Sequence, residues 1–290
     1  MQIFSNLDRA QVLTQALPYI QRYTGKIVVV KYGGNAMTSE ELKQQIMEDI
    51  VLLCLVGVKI VLVHGGGPEI NDLMNRLGKK PEFVDGLRVT DRETVDIVQM
   101  VLAGKINKSL VKLLEGKGGR AIGLSGLDDR LIEAKCKNEK LGYVGEITSI
   151  NTSPVMYLLD KGYIPVISTV ACGIDGETYN INGDTAAACI AGALGAERLM
   201  LMTDIAGIMR DPSDPSSLIP ELTISEASDL FSEGIISGGM IPKVECCIRA
   251  ITEGVKSATI MDGRVPHCIL MELLTDEGAG TMVLAERSKK

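Results

Sequence analysis

Histidine is scarce in this sequence, and long apolar runs are missing. Among 290 residues only His64 and His267 are histidines, so a zinc site made of histidine and cysteine ligands is poorly supported. The longest apolar stretch covers residues 50–58, whereas a membrane-spanning helix needs roughly 20 residues. The N-terminus also lacks the apolar centre of a signal peptide. We therefore expect a cytoplasmic protein without a membrane segment.

A basic excess is missing as well. The chain has 30 lysines and arginines against 37 aspartates and glutamates, which gives a net charge of −7. General nucleic-acid binders usually carry the opposite balance, so no nucleic-acid partner is expected. An anionic small molecule remains compatible with this charge, because a local group of lysines and glycines can oppose the global sign.

The cysteines form no CxxC pair. They number seven and are scattered along the chain, mostly in apolar company. This pattern is typical of reduced, buried thiols in a cytosolic protein. The positions are Cys54, Cys136, Cys172, Cys189, Cys246, Cys247 and Cys268.

Several well-known catalytic motifs are absent. The sequence contains no GxxxxGK[ST], no GxSxG, no HExxH and no HRD and DFG set, which argues against the corresponding enzyme classes. One GxGxxA occurs at Gly116, Gly118 and Ala121, but it follows a helical pattern instead of a strand. That context is wrong for a dinucleotide site.

Short apolar runs alternate with helical patterns along most of the chain. This alternation predicts an α/β fold with a mostly parallel central sheet and helices on both faces, a three-layer αβα sandwich. The predicted strands cover residues 26–31, 58–63, 121–124, 163–168, 198–203 and 258–262. The predicted helices cover residues 8–22, 39–56, 68–77, 91–115, 183–193 and 241–255.

Three regions give the expected domain organisation. Residues 1–24 precede the first strand and predict an N-terminal helical arm that breaks at Pro18. The more polar stretch 128–150 is typical of a β-hairpin. A new alternation of strands and helices starts near residue 195, so we predict one lobe over 25–194 and a second over 195–290.

Two glycine-rich segments follow the first two predicted strands, KYGGN at 31–35 and HGGGP at 64–68. Ligands of open α/β sheets bind beyond the carboxyl ends of strands, and glycines let backbone N–H groups approach an anion. Lys31 adds a full charge, although a tight turn with an incidental lysine is an equal alternative. Three glycines before a helix favour an anion site over a plain turn. His64 can contact a ligand or satisfy a loop carbonyl, and the sequence leaves both open.

Three further segments place polar groups or glycines at element ends. NINGDT at 180–185 precedes an alanine-rich helix, so Asp184 is either a helix-capping carboxylate or part of a convergent polar wall. TDIAGI at 203–208 follows a strand and suits a nucleotide loop or a plain turn. GGMIPK at 238–243 opens a helix. Lys243 in its first turn is unfavourable with the helix dipole, which favours a nearby anion.

Taken together, these segments resemble the amino acid kinase family, and within it the branch that phosphorylates N-acetyl-L-glutamate. The matching segments are KYGGNAM at 31–37, HGGGPEI at 64–70, GLRVT at 86–90, NINGDTAA at 180–187, TDIAGI at 203–208 and GGMIPK at 238–243. GLRVT and the NxNxD segment separate this branch from relatives that act on carbamate, aspartate or UMP. The resemblance covers the chain from about Leu17 onward.

The resemblance implies a role for each matching position. Lys31 and Lys243 match lysines that stabilise the transferring phosphoryl group, and Asp184 matches the carboxylate that orients both. The implied acetylglutamate-binding residues are Gly65, Gly66, Gly67, Arg88, Asn180 and Asn182. The implied ATP-binding residues are Gly33, Gly34, Thr203, Asp204, Gly207, Met209, Gly239, Met240 and Pro242. The implied cofactors are ATP and Mg²⁺, with the metal held mainly by the ATP phosphates and not by a dedicated protein site.

The chemistry of the implied acceptor agrees with this residue set. A glutamate γ-carboxylate has an ordinary pKa of about 4.3, so it is ionised at neutral pH and no general base is required. The reaction needs alignment of two anions and neutralisation of charge on the phosphoryl oxygens. Two lysines can supply that neutralisation, and Arg88 suits a bidentate grip of the α-carboxylate.

Both ends of the chain resemble arginine-inhibited members of the family. ALPYI at 16–20 resembles their N-terminal helix, and HCILMELLTDEGAGTM at 267–282 resembles their effector segment. The resemblance implies inhibition by L-arginine and a homohexamer, a trimer of dimers linked by N-terminal helices. The candidate effector residues are Tyr19, His267, Glu272 and Gly280. The alternative is a packing helix and an acidic residue in a surface turn.

Three rival interpretations stay open. A kinase of the same family that acts on an acetylaminoadipate would differ only by one methylene in its substrate. A catalytically inactive, arginine-sensing binding protein is at odds with the presence of both lysines and Asp184. Docking of a PII-type nitrogen regulator is not decided by any feature of the sequence.

Overall fold

A computed structural model describes residues 5–37 and 39–286. The outermost parts of the predicted arm and of the second lobe, residues 1–4 and 287–290, lie outside this description. The helices are α1 (Asn6–Gln15), α2 (Leu17–Tyr23), α3 (Glu40–Leu55), α4 (Gly67–Arg76), α5 (Arg92–Gln99), α6 (Asn107–Gly116), α7 (Ser153–Asp160), α8 (Gly183–Ala193), α9 (Ile224–Ser232), α10 (Ile241–Thr252) and α11 (Cys268–Leu274). A π-helical segment, Met100–Ile106, joins α5 to α6.

The strands are β1 (Ile27–Tyr32), β2 (Lys59–His64), β3 (Phe83–Val84), β4 (Leu87–Arg88), β5 (Ala121–Gly126), β6 (Ile132–Cys136), β7 (Gly145–Ile150), β8 (Ile164–Gly173), β9 (Thr178–Asn180), β10 (Arg198–Thr203), β11 (Glu221–Thr223), β12 (Ser257–Asp262) and β13 (Gly280–Leu284). Eleven of them form one sheet with the main order β11-β13-β12-β10-β1-β2-β8-β6-β7, and β5 and β9 also pair with β8. The central neighbours β12, β10, β1, β2 and β8 are parallel. The mostly parallel sheet confirms the predicted α/β fold.

Successive residues of the central strands enter two separate cores, one on each face of the sheet. Val29 of β1 packs in the core that contains α8 and α10. Val28 and Val30 pack in the opposite core, which contains α3 and α6. Because both faces are covered, the strand is apolar at nearly every position, as expected for a buried parallel sheet. The three predicted layers are therefore present.

Most predicted elements have the expected positions, with two informative differences. The N-terminal helix breaks at Ala16, and Pro18 lies in the first turn of α2, where its missing N–H costs nothing. The long helix predicted over 91–115 is continuous but contains the π-helical segment. The sequence pattern does not predict α7, α9 or α11, which are short helices of 8, 9 and 7 residues.

The predicted hairpin at 128–150 is present as the antiparallel pair β6–β7, and β6 also joins the main sheet beside β8. The division into lobes at 25–194 and 195–290 remains a prediction, because the sheet runs through both: β1 pairs in parallel with β10. Among the described helices, none is long and apolar enough to cross a membrane.

Candidate active site

The carboxyl ends of three adjacent parallel strands bring the predicted loops to one edge of the sheet. Tyr32, the last residue of β1, lies opposite His64, the last residue of β2. On the other side of β1, Lys31 lies opposite Leu201 of β10. The glycine-rich loops after β1 and β2 and the loop after β10 therefore leave the sheet side by side, as ligand-binding loops of open α/β sheets do.

Lys31, Asp184 and Lys243 form one cluster at this edge. Lys31 Nζ lies 2.9 Å from Asp184 Oδ1, and Lys243 Nζ lies 2.9 Å from Asp184 Oδ2. The three side chains are 11%, 14% and 18% exposed in that order, so each keeps some access to a ligand. Asp184 lies in the first turn of α8 and Lys243 in the first turn of α10, and these two helices pack against each other. The anion expected near Lys243 is thus a carboxylate of the chain itself.

The charge of Asp184 is set by two opposing effects. Burial would raise its pKa, but the ammonium groups of Lys31 and Lys243 outweigh burial and hold that pKa at about 2. The carboxylate is therefore ionised at every physiological pH. It joins two cations that would otherwise repel each other, which leaves an excess positive charge at the mouth of the site.

Local sequence explains why these three side chains meet. Asn182 is the N-cap of α8, since its Oδ1 accepts from the N–H groups of Asp184 and Thr185. Gly33 leaves room for the lysine, because a Cβ there would lie 2.7 Å from Lys31 Nζ. Asn182 was predicted as a substrate residue, and the structure adds that its oxygen is already used for capping.

A pocket of about 200 Å³ lies beside the cluster. All six residues predicted to bind the acceptor line it, together with nonpolar side chains from α4, the π-helical segment and the β3–β4 hairpin. The six are Gly65, Gly66, Gly67, Arg88, Asn180 and Asn182. Tertiary structure therefore assembles one cavity from segments more than 100 positions apart in the sequence.

Arg88 provides the cationic wall of this pocket. Its side chain is buried, and its guanidinium donates to Asn71 Oδ1 at 2.7 Å and to the Gly67 carbonyl at 3.3 Å. The guanidinium also lies 4.8 Å from the centre of the Phe83 ring. Burial lowers the pKa of Arg88, and no carboxylate among the described residues forms an ion pair with it. A buried arginine without an anion is prepared to receive one from a ligand.

Gly66 is required by close packing. A Cβ at this position would overlap Cδ1 of Ile106 and lie 2.8 Å from Cδ2 of Leu102. These two side chains belong to the π-helical segment, which forms a floor beneath the glycine-rich loop. With glycine at this position, the loop lies against the floor without displacing either side chain.

His64 makes the loop contact that the sequence left open. The side chain is fully buried, and its Nδ1 lies 3.0 Å from the carbonyl oxygen of Gly65. Its other ring nitrogen contacts Asn107. The interpretation in which His64 satisfies a loop carbonyl is therefore the one that the structure supports.

The residues predicted to bind ATP lie in three segments at element ends. Gly33 and Gly34 follow β1, positions 203–209 begin at the last residue of β10, and positions 239–242 include the start of α10. Thr203 is buried at the end of its strand, whereas Gly239 and Pro242 are exposed. The set comprises Gly33, Gly34, Thr203, Asp204, Gly207, Met209, Gly239, Met240 and Pro242.

Gly207 has a packing explanation besides its predicted role. Its φ is 150°, and a Cβ there would lie 2.5 Å from Thr281 Oγ1. The hydroxyl of Thr281 accepts from the N–H of Ile208 and donates to the carbonyl of Ile219. The lack of a side chain at Gly207 therefore lets the loop pack closely against β13.

Two of the four candidate effector residues share a second pocket, of about 160 Å³. Tyr19 and Glu272 line it, together with Arg198 and Gly278. The Glu272 carboxylate is buried and accepts from Arg198 Nη2 at 2.8 Å, from Thr259 Oγ1 at 2.9 Å and from the N–H of Ala279 at 2.8 Å. The carboxylate therefore already binds one guanidinium of the chain.

The other two candidates lie elsewhere in the structure. His267 precedes α11 with a φ of 57°, and its Nδ1 lies 2.6 Å from Oδ1 of the buried Asp49. Gly280 begins β13, where a Cβ would collide with the carbonyl oxygen of Ile260. Gly280 therefore has a structural role in the sheet, and the glycine at the pocket wall is Gly278.

The sequence patterns did not identify some residues of these sites. Asn71 holds Arg88 although it lies just beyond the matching segment 64–70, and Asn107 holds His64 from within a helical pattern. Arg198 starts an apolar strand, so its ion pair with Glu272 could not be read from spacing. Among the described residues, no group of three His, Cys, Asp or Glu could hold a metal ion.

Comparison with known proteins finds similar sequences over almost the whole chain. The chain is 56% identical over 284 residues to the acetylglutamate kinase of Clostridium beijerinckii, covering 97% of this chain and all of that protein. It is 52% identical over 287 residues to the acetylglutamate kinase of Thermosynechococcus vestitus, covering 99% and 97% of the two chains.

Solved structures share the fold. The N-acetylglutamate synthase of Neisseria gonorrhoeae superposes with a TM-score of 0.84 at 26% identity, and the match spans 96% of this chain but only 64% of the synthase. The carbamate kinase of Giardia lamblia superposes with a TM-score of 0.67 at 20% identity, covering 91% and 100% of the two chains. The sequence profile of the amino acid kinase family matches residues 26–262. The chain is therefore a kinase of the amino acid kinase family.

Proposed function

We propose that this chain transfers the γ-phosphoryl group of ATP to the γ-carboxylate of N-acetyl-L-glutamate. The product is N-acetyl-L-glutamyl 5-phosphate, an intermediate of arginine biosynthesis. The observation that carries the proposal is the pairing of Lys31 and Lys243 across Asp184, directly beside a pocket that contains the unpaired cation of Arg88. The names of the relatives support the choice of substrate.

The acceptor needs no general base. Its carboxylate is ionised at neutral pH, since its ordinary pKa is about 4.3. Negative charge builds up instead on the oxygens of the phosphoryl group as it passes between donor and acceptor. Lys31 and Lys243 belong to the two proposed lobes, 25–194 and 195–290 respectively, and their excess charge stabilises that group. Asp184 orients both ammonium groups.

The pocket accounts for binding of the acceptor. The fork of Arg88 is held by Asn71 and the Gly67 carbonyl, so its remaining N–H groups can grip the α-carboxylate. The N–H groups of Gly66 and Gly67 lie at the N-terminus of α4, where the helix dipole favours the second carboxylate. Asn180, whose Nδ2 lies 3.3 Å from Thr90 Oγ1, also lines this pocket.

The donor side is formed by the predicted ATP residues. Mg²⁺ bound to ATP would be held chiefly by phosphate oxygens, because the cluster contains one carboxylate and that carboxylate is already paired with two lysines. When bound, the ion supplies further neutralisation of phosphate charge. The proposed lobes, 25–194 for the acceptor and 195–290 for ATP, meet at the three clustered side chains.

The decisive experiment is acetylglutamate-dependent release of ADP by the purified chain. We expect turnover that requires both ATP and N-acetyl-L-glutamate. A substrate one methylene longer, N-acetyl-L-2-aminoadipate, is assayed in parallel, and equal or higher kcat/KM for it would reassign the substrate. Absence of any ATP turnover would support the rival interpretation, an arginine-sensing binding protein.

We further propose feedback inhibition by L-arginine in a cytoplasmic homohexamer. The pocket lined by Tyr19 and Glu272 suits a cationic amino acid, because Asp276 adds a second carboxylate to its wall besides that of Glu272, which already binds Arg198. The exposed Leu7, Leu13 and Leu17 leave the N-terminal helices an apolar surface for another subunit. Deletion of residues 1–22 tests the assembly: unchanged arginine inhibition and unchanged size in solution would contradict this proposal.

A further inference from the structure

The ring of His64 is neutral. The side chain is fully buried at the end of β2, and burial lowers its pKa to about 4, with the charge of Lys108 acting in the same direction. A neutral imidazole carries one proton on one of two nitrogens. Nδ1 lies 3.0 Å from the Gly65 carbonyl oxygen, and Nε2 lies 3.2 Å from Asn107 Nδ2. These two contacts decide where the proton is.

Backbone carbonyls fix the orientation of the Asn107 amide. Its Nδ2 lies 3.1 Å from the carbonyl oxygen of Leu124 and 2.9 Å from that of Val166. On its other side, Oδ1 accepts from Lys108 Nζ at 3.1 Å. Because carbonyl oxygens only accept, the atom that faces them must be the NH₂ group. The same NH₂ group faces His64 Nε2. An amide nitrogen does not accept hydrogen bonds, so a proton on Nε2 would have no acceptor there, and Nε2 shares the two amide hydrogens with the two carbonyls.

We infer that Asn107 and His64 are positioning residues that hold the Gly65–Gly66 peptide in the orientation needed for catalysis. With Nε2 unprotonated, the proton of the ring is on Nδ1, and Nδ1–H donates to the Gly65 carbonyl. This carbonyl also can only accept, so both contacts of the ring require the same tautomer. The inference rests on the proposed function, because its consequence is a donor aimed at the acceptor pocket.

The held carbonyl determines where the next N–H points. In a trans peptide the C=O and the following N–H point in opposite directions, and the described peptide bonds are trans. Since the Gly65 carbonyl faces the buried ring, the N–H of Gly66 points away from it, on the side where Gly66 lines the pocket. Among the described residues, no protein acceptor is found for the N–H of Gly66 or Gly67. Both donors are left for a carboxylate oxygen of the substrate.

The π-helical segment positions both Asn107 and the floor beneath Gly66. Met100–Ile106 ends immediately before Asn107, and it also contributes Leu102 and Ile106 to the floor beneath Gly66. Single π-helical turns are frequent at functional sites because they redirect side chains. Here one segment sets both the backbone position of the loop and the side chain that fixes its peptide.

Nitrogen NMR of the histidine rings tests the inference, since the chain has only two histidines. The full-length protein is labelled with ¹⁵N-histidine, and the variant His267→Gln assigns the two sets of signals. We expect His64 to show a protonated Nδ1 and an unprotonated Nε2 between about pH 8 and about pH 5.5. A protonated Nε2, or a ring that becomes charged near pH 6.5 as an ordinary histidine does, would overturn the inference.

Kinetics of matched variants test the consequence for catalysis. The amide of His64→Asn places an N–H close to the position of Nδ1, whereas His64→Gln places it close to Nε2. We expect His64→Gln and Asn107→Leu to lower kcat at least about tenfold with a smaller change in KM, and His64→Asn to restore most of that loss. Asn75→Leu, on the exposed end of α4, is the control. Equal losses in His64→Asn and His64→Gln would show a packing role only.

Failure of the proposed function would give a different result. In that case the unaltered chain would not release ADP with N-acetyl-L-glutamate, while the tautomer of His64 can be measured without any substrate. If the variants do not fold, a protonated Nε2 or a charged ring near pH 6.5 in the unaltered protein still overturns the inference.

Discussion

Lys243 Nζ lies 2.9 Å from Asp184 Oδ2, although the two residues are 59 positions apart in the chain. The contact joins the first turns of α10 and α8. A lysine at a helix N-terminus is unfavourable and an aspartate there is favourable, so the aspartate offsets the unfavourable position of the lysine.

Replacement of Lys243 by alanine should remove one donor to the transferring phosphoryl group. We expect Lys243→Ala to lower kcat at least about a hundredfold, by analogy with the loss of one transition-state donor. The measurement is the steady-state rate of ADP release at saturating substrates. Glu245→Ala, an exposed residue on the same helix, serves as the control. Near-normal turnover of Lys243→Ala would contradict the proposed role.

The pH dependence of the reaction should show no contribution from Asp184 above about pH 3. Its pKa is held at about 2, below its ordinary value of 3.8. The stability from its ion pairs is therefore complete above pH 3.8 and is lost as the pH falls through 2. We expect Asp184→Asn to lower kcat at least about tenfold at every pH between 6 and 9. An acidic limb near pH 5 that disappears in Asp184→Asn would be inconsistent with this assignment.

Arg88 should act on binding of the α-carboxylate more than on turnover. A hydrogen bond to a charged group contributes roughly 1.5–3 kcal/mol, or about 10- to 100-fold in affinity. We expect Arg88→Lys to raise KM for N-acetyl-L-glutamate by that factor. Asn71→Ala should raise KM by a smaller factor, because the guanidinium is still present and loses only its partner at 2.7 Å. The matched probe is 4-acetamidobutyrate, which lacks the α-carboxylate. A similar rise in KM for this probe would exclude the proposed contact.

Gly66 should not tolerate a methyl group. In Gly66→Ala the added Cβ overlaps Ile106, and overpacking of this kind costs about 1–3 kcal/mol. We expect kcat/KM to fall at least about tenfold, with partial recovery in Gly66→Ala combined with Ile106→Ala. Gly104→Ala is the control, since a Cβ there meets no atom within 4 Å. Unchanged kinetics of Gly66→Ala would mean that the loop can move away from the π-helical floor.

Asp49 should make the stability of the chain depend on pH. Burial raises its pKa to about 6, against the effect of His267, and its Oδ2 is buried without a partner among the described residues. Between 3.8 and 6 the folded state binds more protons than the unfolded state, so stability is lost as the pH rises through 6. We expect Asp49→Asn to be more stable than the unaltered chain by roughly 1–3 kcal/mol at pH 7.5.

Urea unfolding at two pH values measures this effect. The advantage of Asp49→Asn should shrink at pH 4.5, where the unaltered side chain is itself largely protonated. Asp72→Asn, at an exposed position on α4, controls for a general change in net charge. An advantage that does not change with pH would show that Asp49 is not the titrating group.

Much of the catalytic cluster could be anticipated from the sequence, and the reason is local. Lys31 ends an apolar strand before two glycines, and Lys243 opens a helix after a Gly-Gly-Met-Ile-Pro turn. Each signal depends on neighbours within a few positions. The family resemblance then supplied Asp184, whose local setting alone was equally consistent with a helix cap.

The partners of these residues could not be anticipated in the same way. Asn71 supports Arg88 across a turn and a hairpin, and Asn107 supports His64 from a helix whose π-helical turn has no simple sequence signature. The effector residues show the same limit. Two glycines of the C-terminal segment are alike in sequence, but Gly278 lines the pocket and Gly280 is packed against Ile260.

The sequence by itself therefore determined the α/β fold, the strand-end glycine loops and the identity of the charged groups, because periodicity and turn chemistry act over short distances. Only the tertiary structure decided that Lys31 and Lys243 share one carboxylate and that His64 faces a loop carbonyl. Those contacts depend on which strands are neighbours in the sheet and how α8 meets α10. Such long-range packing is set by the whole core and not by any single segment.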